Sequence, residues 1–415
     1  MAGRSVGRST REASLPDQLR RYRTHVPPSM GSKAQTRLGE SLRNRCIEVL
    51  LQNFEELDLS SGRLSQARLA SITGQLSVDV DPRLTGRSVS DENYWKRACL
   101  SRYPREECLP QVHGMRWKQT FFERLLQERL EDCDGLDESI AELKELVDAA
   151  GDEIFCLRFR QLPSHLPLHP ILGSATNLTR VEICYGAMDV GMHYDRALFG
   201  MKISDATSLS KLFETSHSLT SVKLSQNIID DDLLRLLMVG LQRSSSISCL
   251  DFSNNKITDF GAQLISRLLS SDSTLVSLDL SNNCIQREGA RHIAREIRSN
   301  ESLMRLNLRL NNLSDEGCRD LLDAVADNDT LHELIISSNG AADNSATAVA
   351  ALMRRTKCDL HSLDVSNNLF SFEHINLFSA AMKQNRSLEH LDLRQNPGYA
   401  EGASENNKNE CNFIL

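Results

Sequence analysis

The side chains able to do chemistry in this sequence, and the spacing between them, come first. Of the eleven histidines only His165 and His169 stand four apart, and Pro167 between them breaks the helix that would align them. His193, His292 and His374 have no neighbour at the spacings that zinc sites use. No C-x-x-C pair, phosphate-cradling G-x-x-x-x-G-K-(S/T), G-x-S-x-G or H-E-x-x-H occurs. No catalytic role, cofactor or metal is therefore expected. What does recur is the carboxamide of asparagine, at Asn227, Asn255, Asn283, Asn311, Asn339, Asn368 and Asn396. An amide both donates and accepts hydrogen bonds, so its chemistry here is to satisfy backbone groups where the chain turns. A second set, Asp251, Asp279, Asp364 and Asp392, keeps the same phase and brings charge.

These residues belong to a repeated element, seen in Leu275-Val-Ser-Leu278-Asp-Leu280-Ser-Asn-Asn283. The pattern L-x-x-L-x-L-x-x-N restarts at Leu219, Ile247, Leu275, Leu303, Leu331, Leu360 and Leu388, every 28 or 29 residues. That period is the signature of leucine-rich repeats. Alternating apolar residues predict a strand whose Leu278 and Leu280 point inward together. After the turn, segments such as Ile257-Thr-Asp259-Phe-Gly261-Ala262 open a helix with small residues for close packing and an acid near its N-terminus. Glu288 and Glu316 hold similar places. The predicted fold is α/β, a ribonuclease-inhibitor-like leucine-rich-repeat horseshoe of ~28-residue repeats with a small N-terminal helical module. Between the inward positions, Lys223, Asp251, Asp279, Asn307, Ile335, Asp364 and Asp392 face the concave side. Two places on stand mostly serines, interrupted by Arg309 and Arg394, and Arg305 points the same way. The four aspartates read either as an acidic stripe for a basic helix or tail, or as residues that only solvate the wall. On the first reading, reversing their charge leaves the fold intact.

Residues 1–45 carry nine Arg and one Lys against Glu12, Asp17 and Glu40, so they hold +7 while the rest of the chain carries −15. They read as a flexible basic arm, either a solvated tail or one drawn to an acidic surface. With no interleaved aromatics beyond Tyr22, nucleic acid is not an expected partner. No apolar run approaches the ~20 residues that span a membrane. Eleven scattered cysteines without a signal peptide read as reduced thiols in the cytoplasm. Residues 46–150 form a mainly helical module. Within it, Phe54 to Gly62 imitates one repeat and Arg63 to Ile72 predicts a short helix. Tyr94 and Trp95, then Trp117 and Phe122, mark two helices whose aromatics serve either packing or an exposed assembly surface. Glu131 to Glu153 predicts a further helix with a wet outer face. The solenoid occupies 151–396, beginning with irregular strands at Ile154–Phe159 and Leu178–Ile183, and a polar tail fills 397–415.

The run Asp91-Glu-Asn-Tyr-Trp-Lys-Arg-Ala-Cys-Leu-Ser-Arg102, then Trp117-Lys118 and Phe122-Glu123-Arg124, then the repeats, resembles the dynein regulatory complex subunit 5 family over roughly residues 85–396. The resemblance implies a non-catalytic subunit of the nexin–dynein regulatory complex in the axoneme of motile cilia and flagella. Its implied partners are other subunits, doublet microtubules and inner dynein arms, with no small-molecule substrate. Two alternatives remain open: an F-box-like ubiquitin-ligase adaptor binding a Skp-type protein through residues 82–130, and a leucine-rich-repeat GTPase-activating protein.

Overall fold

The computed structural model describes residues 42, 44–54, 65–105, 108–112, 114, 116–133, 135–187, 199–270, 273–355 and 358–398. Nearly all of the basic arm, residues 55–62 of the repeat-like stretch and the tail from 399 on lie outside these residues. The chain divides into two compact units, residues 1–76 and 77–415. In the first, residues 44–52 are helical and a short helix α1 runs Gln66–Thr73, close to the segment expected from Arg63 to Ile72.

The second unit starts with four helices, α2 (Pro82–Ser88), α3 (Glu92–Arg102), α4 (Trp117–Glu131) and α5 (Asp137–Ala150). The first two start where an aspartate can cap: Asp81 accepts from the Arg83 N–H at 2.8 Å and Asp91 from the Asn93 N–H at 3.0 Å. Pro82 sits at the first helical position, where its missing N–H costs nothing. The helix expected over 131–153 divides: α4 runs on to Glu131, and α5 starts afresh at Asp137. Its Leu143, Leu146, Val147, Ala149 and Ala150 are buried, so only its outer side is wet.

Among the described residues, nine parallel strands follow in sequence order, each paired with the next. They are β1 (Cys156–Phe159), β2 (Arg180–Ile183), β3 (Ser221–Lys223), β4 (Cys249–Asp251), β5 (Ser277–Asp279), β6 (Arg305–Asn307), β7 (Glu333–Ile335), β8 (Ser362–Asp364) and β9 (His390–Asp392). Helices return the chain between strands: α6 (Leu168–Leu172), α7 (Ile203–Thr215), α8 (Asp231–Leu241), α9 (Asp259–Ser266), α10 (Arg287–Ile297), α11 (Ser314–Ala326), α12 (Asp343–Met353) and α13 (Phe372–Met382). This is a leucine-rich-repeat α/β solenoid. The register places Leu250, Leu278, Leu306, Leu334, Leu363 and Leu391 opposite one another, and all are buried.

Each strand ends because its successor residues turn. The residue just before each ladder asparagine adopts a left-handed backbone: Gln226, Asn254, Asn282, Leu310, Ser338, Asn367 and Gln395, with φ from +50° to +62°. Asparagine tolerates that geometry through local hydrogen bonding, whereas a leucine pays roughly 1–2 kcal/mol for it. The Leu310 side chain is largely exposed, so little packing compensates. Leu310→Asn is therefore expected to raise stability by about 1 kcal/mol, read as a higher denaturant midpoint.

Candidate docking face and its supporting ladders

The ladder asparagines join neighbouring turns. Asn255 Oδ1 accepts from the Asn227 and Ile229 N–H groups, both at 3.0 Å, while its Nδ2 donates to the Leu224, Phe252 and Ser253 carbonyls. Asn227 donates to the Ile183 and Ser225 carbonyls and accepts from the Tyr185 N–H, carrying the ladder back to β2. Asn283, Asn311, Asn339, Asn368 and Asn396 repeat the arrangement. Five of the seven are buried; Asn283 and Asn311 are half-buried.

The helix-opening acids do something different from what their position suggested. Rather than serving its own helix, Asp259 accepts from the N–H groups of Gln286 and Gly289 at the start of the next one. Asp231 binds the N–H and hydroxyl of Thr258 in the same way. Asp315 takes the N–H groups of Ala342, Asn344 and Ser345. Burial pushes Asp315 up, but the Ser345 hydroxyl and these backbone donors outweigh it and hold the carboxyl below the usual range. The expected Glu288 and Glu316 stand one residue along and instead meet Arg291 and Ser314 of their own helices. At Arg287 the series is broken, and the following helix opens differently, with Ser314 at φ +62° and its N–H turned to the Asn339 carbonyl.

The N-terminal helices cover the first strand. Glu123 of α4 is buried, and its Oε1 accepts from the Phe155 and Cys156 N–H groups at 2.8 Å and from Gln119 Nε2 at 3.0 Å. Glu131 accepts from the Arg160 N–H. These bonds satisfy edge donors that a strand without a neighbour leaves open. Behind them lies the aromatic core. The Trp95 ring is centred 5.1 Å from each of Tyr94, Phe121 and Phe122, and its Nε1 donates to the Val89 carbonyl at 3.0 Å. At Gly86 of α2 a β-carbon would sit 2.6 Å from both the Phe122 ring and the Ala149 carbonyl, so the helix approach requires glycine. Tyr94, Trp95 and Phe122 are thus packing residues, which corrects the alternative of an exposed aromatic surface. Trp117 is half-buried, with Lys96 Nζ 5.5 Å from its ring centre.

On the concave side the expected acidic stripe needs correction as well. Along the outward positions of the nine strands, Glu182, Asp251, Asp279, Glu333, Asp364 and Asp392 are balanced by Arg158, Arg160, Arg180, Lys223, Arg305, Arg309 and Arg394. The aspartates are also internally engaged. Asp251, Asp279, Asp364 and Asp392 each accept from the N–H two residues on, closing the turn at the strand end. Their remaining capacity goes to Lys223, Asn307, Ser337 and Arg394 respectively. Burial lowers the Lys223 ammonium, but Glu182 and Asp251 outweigh it and raise it above the ordinary range. The Arg394 hydrogen bonds hold Asp392 below the usual carboxylate range. Replacing these four aspartates with lysine would remove four turn bonds, so such a variant is expected to melt below wild type and its charge reversal is not neutral to the fold.

What stays available is cationic and lies on β6 and the turn that follows it. Arg305 has only a 3.5 Å approach to Glu333, with its side chain 70 % exposed. Among the described residues the Arg309 guanidinium makes no hydrogen bond or ion pair, while its backbone N–H donates to Asn307 Oδ1. Met304 and Leu310, flanking them, are each 46 % exposed. Asn307 and Ile335 stand where the neighbouring repeats carry aspartate. The face therefore offers two exposed guanidinium groups, Arg305 with only its loose pairing to Glu333 and Arg309 with none among the described residues.

Sequence reasoning placed the asparagine ladder and the outward residues but missed the inter-repeat role of Asp231, Asp259 and Asp315. Their 28-residue phase was legible, broken only at Arg287. Glu123 could not be found that way, because its partners lie 32 and 33 residues on, outside the repeat. Among the described residues no helix is long and apolar enough to cross a membrane.

The family described as Leucine Rich repeat matches residues 243–266, 271–294 and 299–322. The chain is homologous to Dynein regulatory complex subunit 5 of Chlamydomonas reinhardtii, at 38% identity over 196 residues, 47% of this chain and 50% of that protein. The human protein of the same name is 27% identical over 228 residues, 48% of this chain and 45% of its own. The chain spans about half the length of the curated relatives it matches. Among solved structures, an internalin of Listeria monocytogenes aligns at 19% identity with a TM-score of 0.35, over 60% of this chain and 63% of that one.

Proposed function

We propose that this chain is a non-catalytic subunit of the dynein regulatory complex in the axoneme of motile cilia and flagella. In this role it helps link doublet microtubules and regulate dynein-driven motility by binding other subunits of the complex. The observation that carries the reading is the 38% identity to the Chlamydomonas subunit, joined to a solenoid whose extended concave sheet suits protein recognition. The docking point on that sheet is β6 with the turn that follows it, where Arg305, Arg309, Met304 and Leu310 meet a partner segment bearing carboxylates beside apolar side chains. Guanidinium groups favour such partners through paired, planar hydrogen bonds. The helices at 82–131 support the sheet from its first edge instead of presenting their aromatics, which gives the ubiquitin-ligase adaptor reading no surface of its own.

The test uses ciliated cells lacking the endogenous protein and expressing the tagged full chain. Wild-type chain is expected to remain with axonemes after a salt wash. The Arg305→Glu, Arg309→Glu double variant is expected to melt close to wild type, because Arg305 has only an exposed 3.5 Å pairing with Glu333 and Arg309 has none among the described residues, yet to be largely lost from the washed axonemes. Absence of the wild-type chain from axonemes would end the subunit reading. Retention of a folded double variant at wild-type levels would remove β6 as the docking point.

A further inference from the structure

The role in the complex leaves one reactive cluster unused. Cys99, in the last turn of α3, and Cys108, six residues beyond the end of that helix, are both free and buried. Their sulfurs are 3.2 Å apart. Cys108 Sγ also lies 3.6 Å from the Cys99 carbonyl and 3.9 Å from the Tyr103 carbonyl, so it is held at the helix C-terminus by its surroundings. A turn bond from the Cys108 N–H to the Arg105 carbonyl fixes the approach. Because a disulfide spans about 2.0 Å, closing this one needs a sulfur movement of only ~1.2 Å. Both Cys318 and Cys358, by contrast, are buried without a thiol partner among the described residues.

We propose that Cys99 and Cys108 are a reversible modification site, a dithiol that low-molecular-weight disulfides convert to an intrachain disulfide. Cys108, the more accessible of the two, loses its proton and attacks one sulfur of the small disulfide. That step forms a mixed disulfide on Cys108 and releases one thiolate, which takes up a proton. Cys99 then gives up its proton and attacks Cys108 Sγ, expelling the second small thiol. Two electrons pass from the protein dithiol to the small disulfide, and two small thiols leave. Burial pushes the Cys99 thiol up, and both sulfurs are shielded from solvent. The pair is therefore slow to react singly and resists over-oxidation, while proximity favours the second step once the first has occurred. The bond formed ties Cys108 to the last turn of α3, the helix that carries Trp95 of the aromatic core.

The full chain is equilibrated in buffers of increasing ratio of oxidised to reduced glutathione, quenched in acid, alkylated and read by peptide mass spectrometry. Cys99 and Cys108 are expected to lose alkylation together, at one midpoint, with a peptide pair lighter by two hydrogens and without a glutathione adduct. Cys99→Ser is expected to leave Cys108 carrying glutathione, and Cys108→Ser to leave Cys99 reduced. Continued alkylation of both residues at ratios that glutathionylate the exposed Cys284 would overturn the proposal, as would pairing of either with a different cysteine. The wild-type measurement decides without the variants, so a variant that fails to fold leaves the answer intact.

Discussion

Trp95→Ala is expected to lower stability by about 3–5 kcal/mol, the loss associated with emptying a large aromatic site in a packed core. Trp95 is 1 % exposed and touches three other rings. Its removal also strands the Val89 carbonyl, which accepts the indole N–H. The damage extends beyond the cavity, because Phe121 and Phe122 share α4 with Glu123, whose carboxylate holds the first edge of the sheet. Urea unfolding followed by circular dichroism gives the midpoint, and hydrogen exchange gives the location. Protection should fall at Phe155 and Cys156 as well as in the helices. Trp117→Ala, at a half-buried site, should cost distinctly less. Equal losses at the two sites would mean that the core is not centred on Trp95.

The second large effect is expected at Asn255→Ala, about 3–5 kcal/mol. Alanine leaves the Asn227 and Ile229 N–H groups without acceptors in a dry turn, each an unsatisfied group worth roughly 1–3 kcal/mol. Three carbonyls lose their donor as well. Asn255 is 4 % exposed, so water has little access to replace the amide. The readout is hydrogen exchange at Asn227 and Ile229, which should speed up together, with a lower denaturant midpoint. Exchange at those two sites unchanged from wild type would show that the amide is dispensable.

Both effects bear on what a sequence can disclose. Leu278 and Leu280, two apart and 28 residues from their counterparts, can only be inward residues of a stacked strand, so the fold was readable from periodicity. The same holds for Asn255, since the turn recurs. Periodicity shows where a side chain sits but not which neighbour it meets. Asp251 and Asp279 were correctly placed on the outward side, yet whether their charge is free depends on the N–H two residues on and on Lys223 and Asn307 in adjacent strands. Trp95 posed the converse difficulty. A tryptophan on a helix is compatible with a core or a surface, and only the packing of Phe121 and Phe122 decides. Arg309 emerges as available by elimination, once every nearby carboxylate is accounted for.

The repeated seams also set how the solenoid answers a pull along its stacking direction. Each repeat is joined to the next by strand hydrogen bonds, one asparagine and, in several repeats, one aspartate. Tension applied from one end of the stack passes through these seams in series, so the whole is no stronger than its weakest junction. At the junction following Arg287 no carboxylate among the described residues reaches across to the start of α11, and Asn328 Nδ2 instead ties the far end of that seam to the Ile297 and Asn300 carbonyls. Because parallel strands lie only about 4.8 Å apart, opening a single seam lengthens the stack by a small step and leaves the repeats on either side folded. A stack of this kind is then expected to lengthen in small steps, one seam at a time.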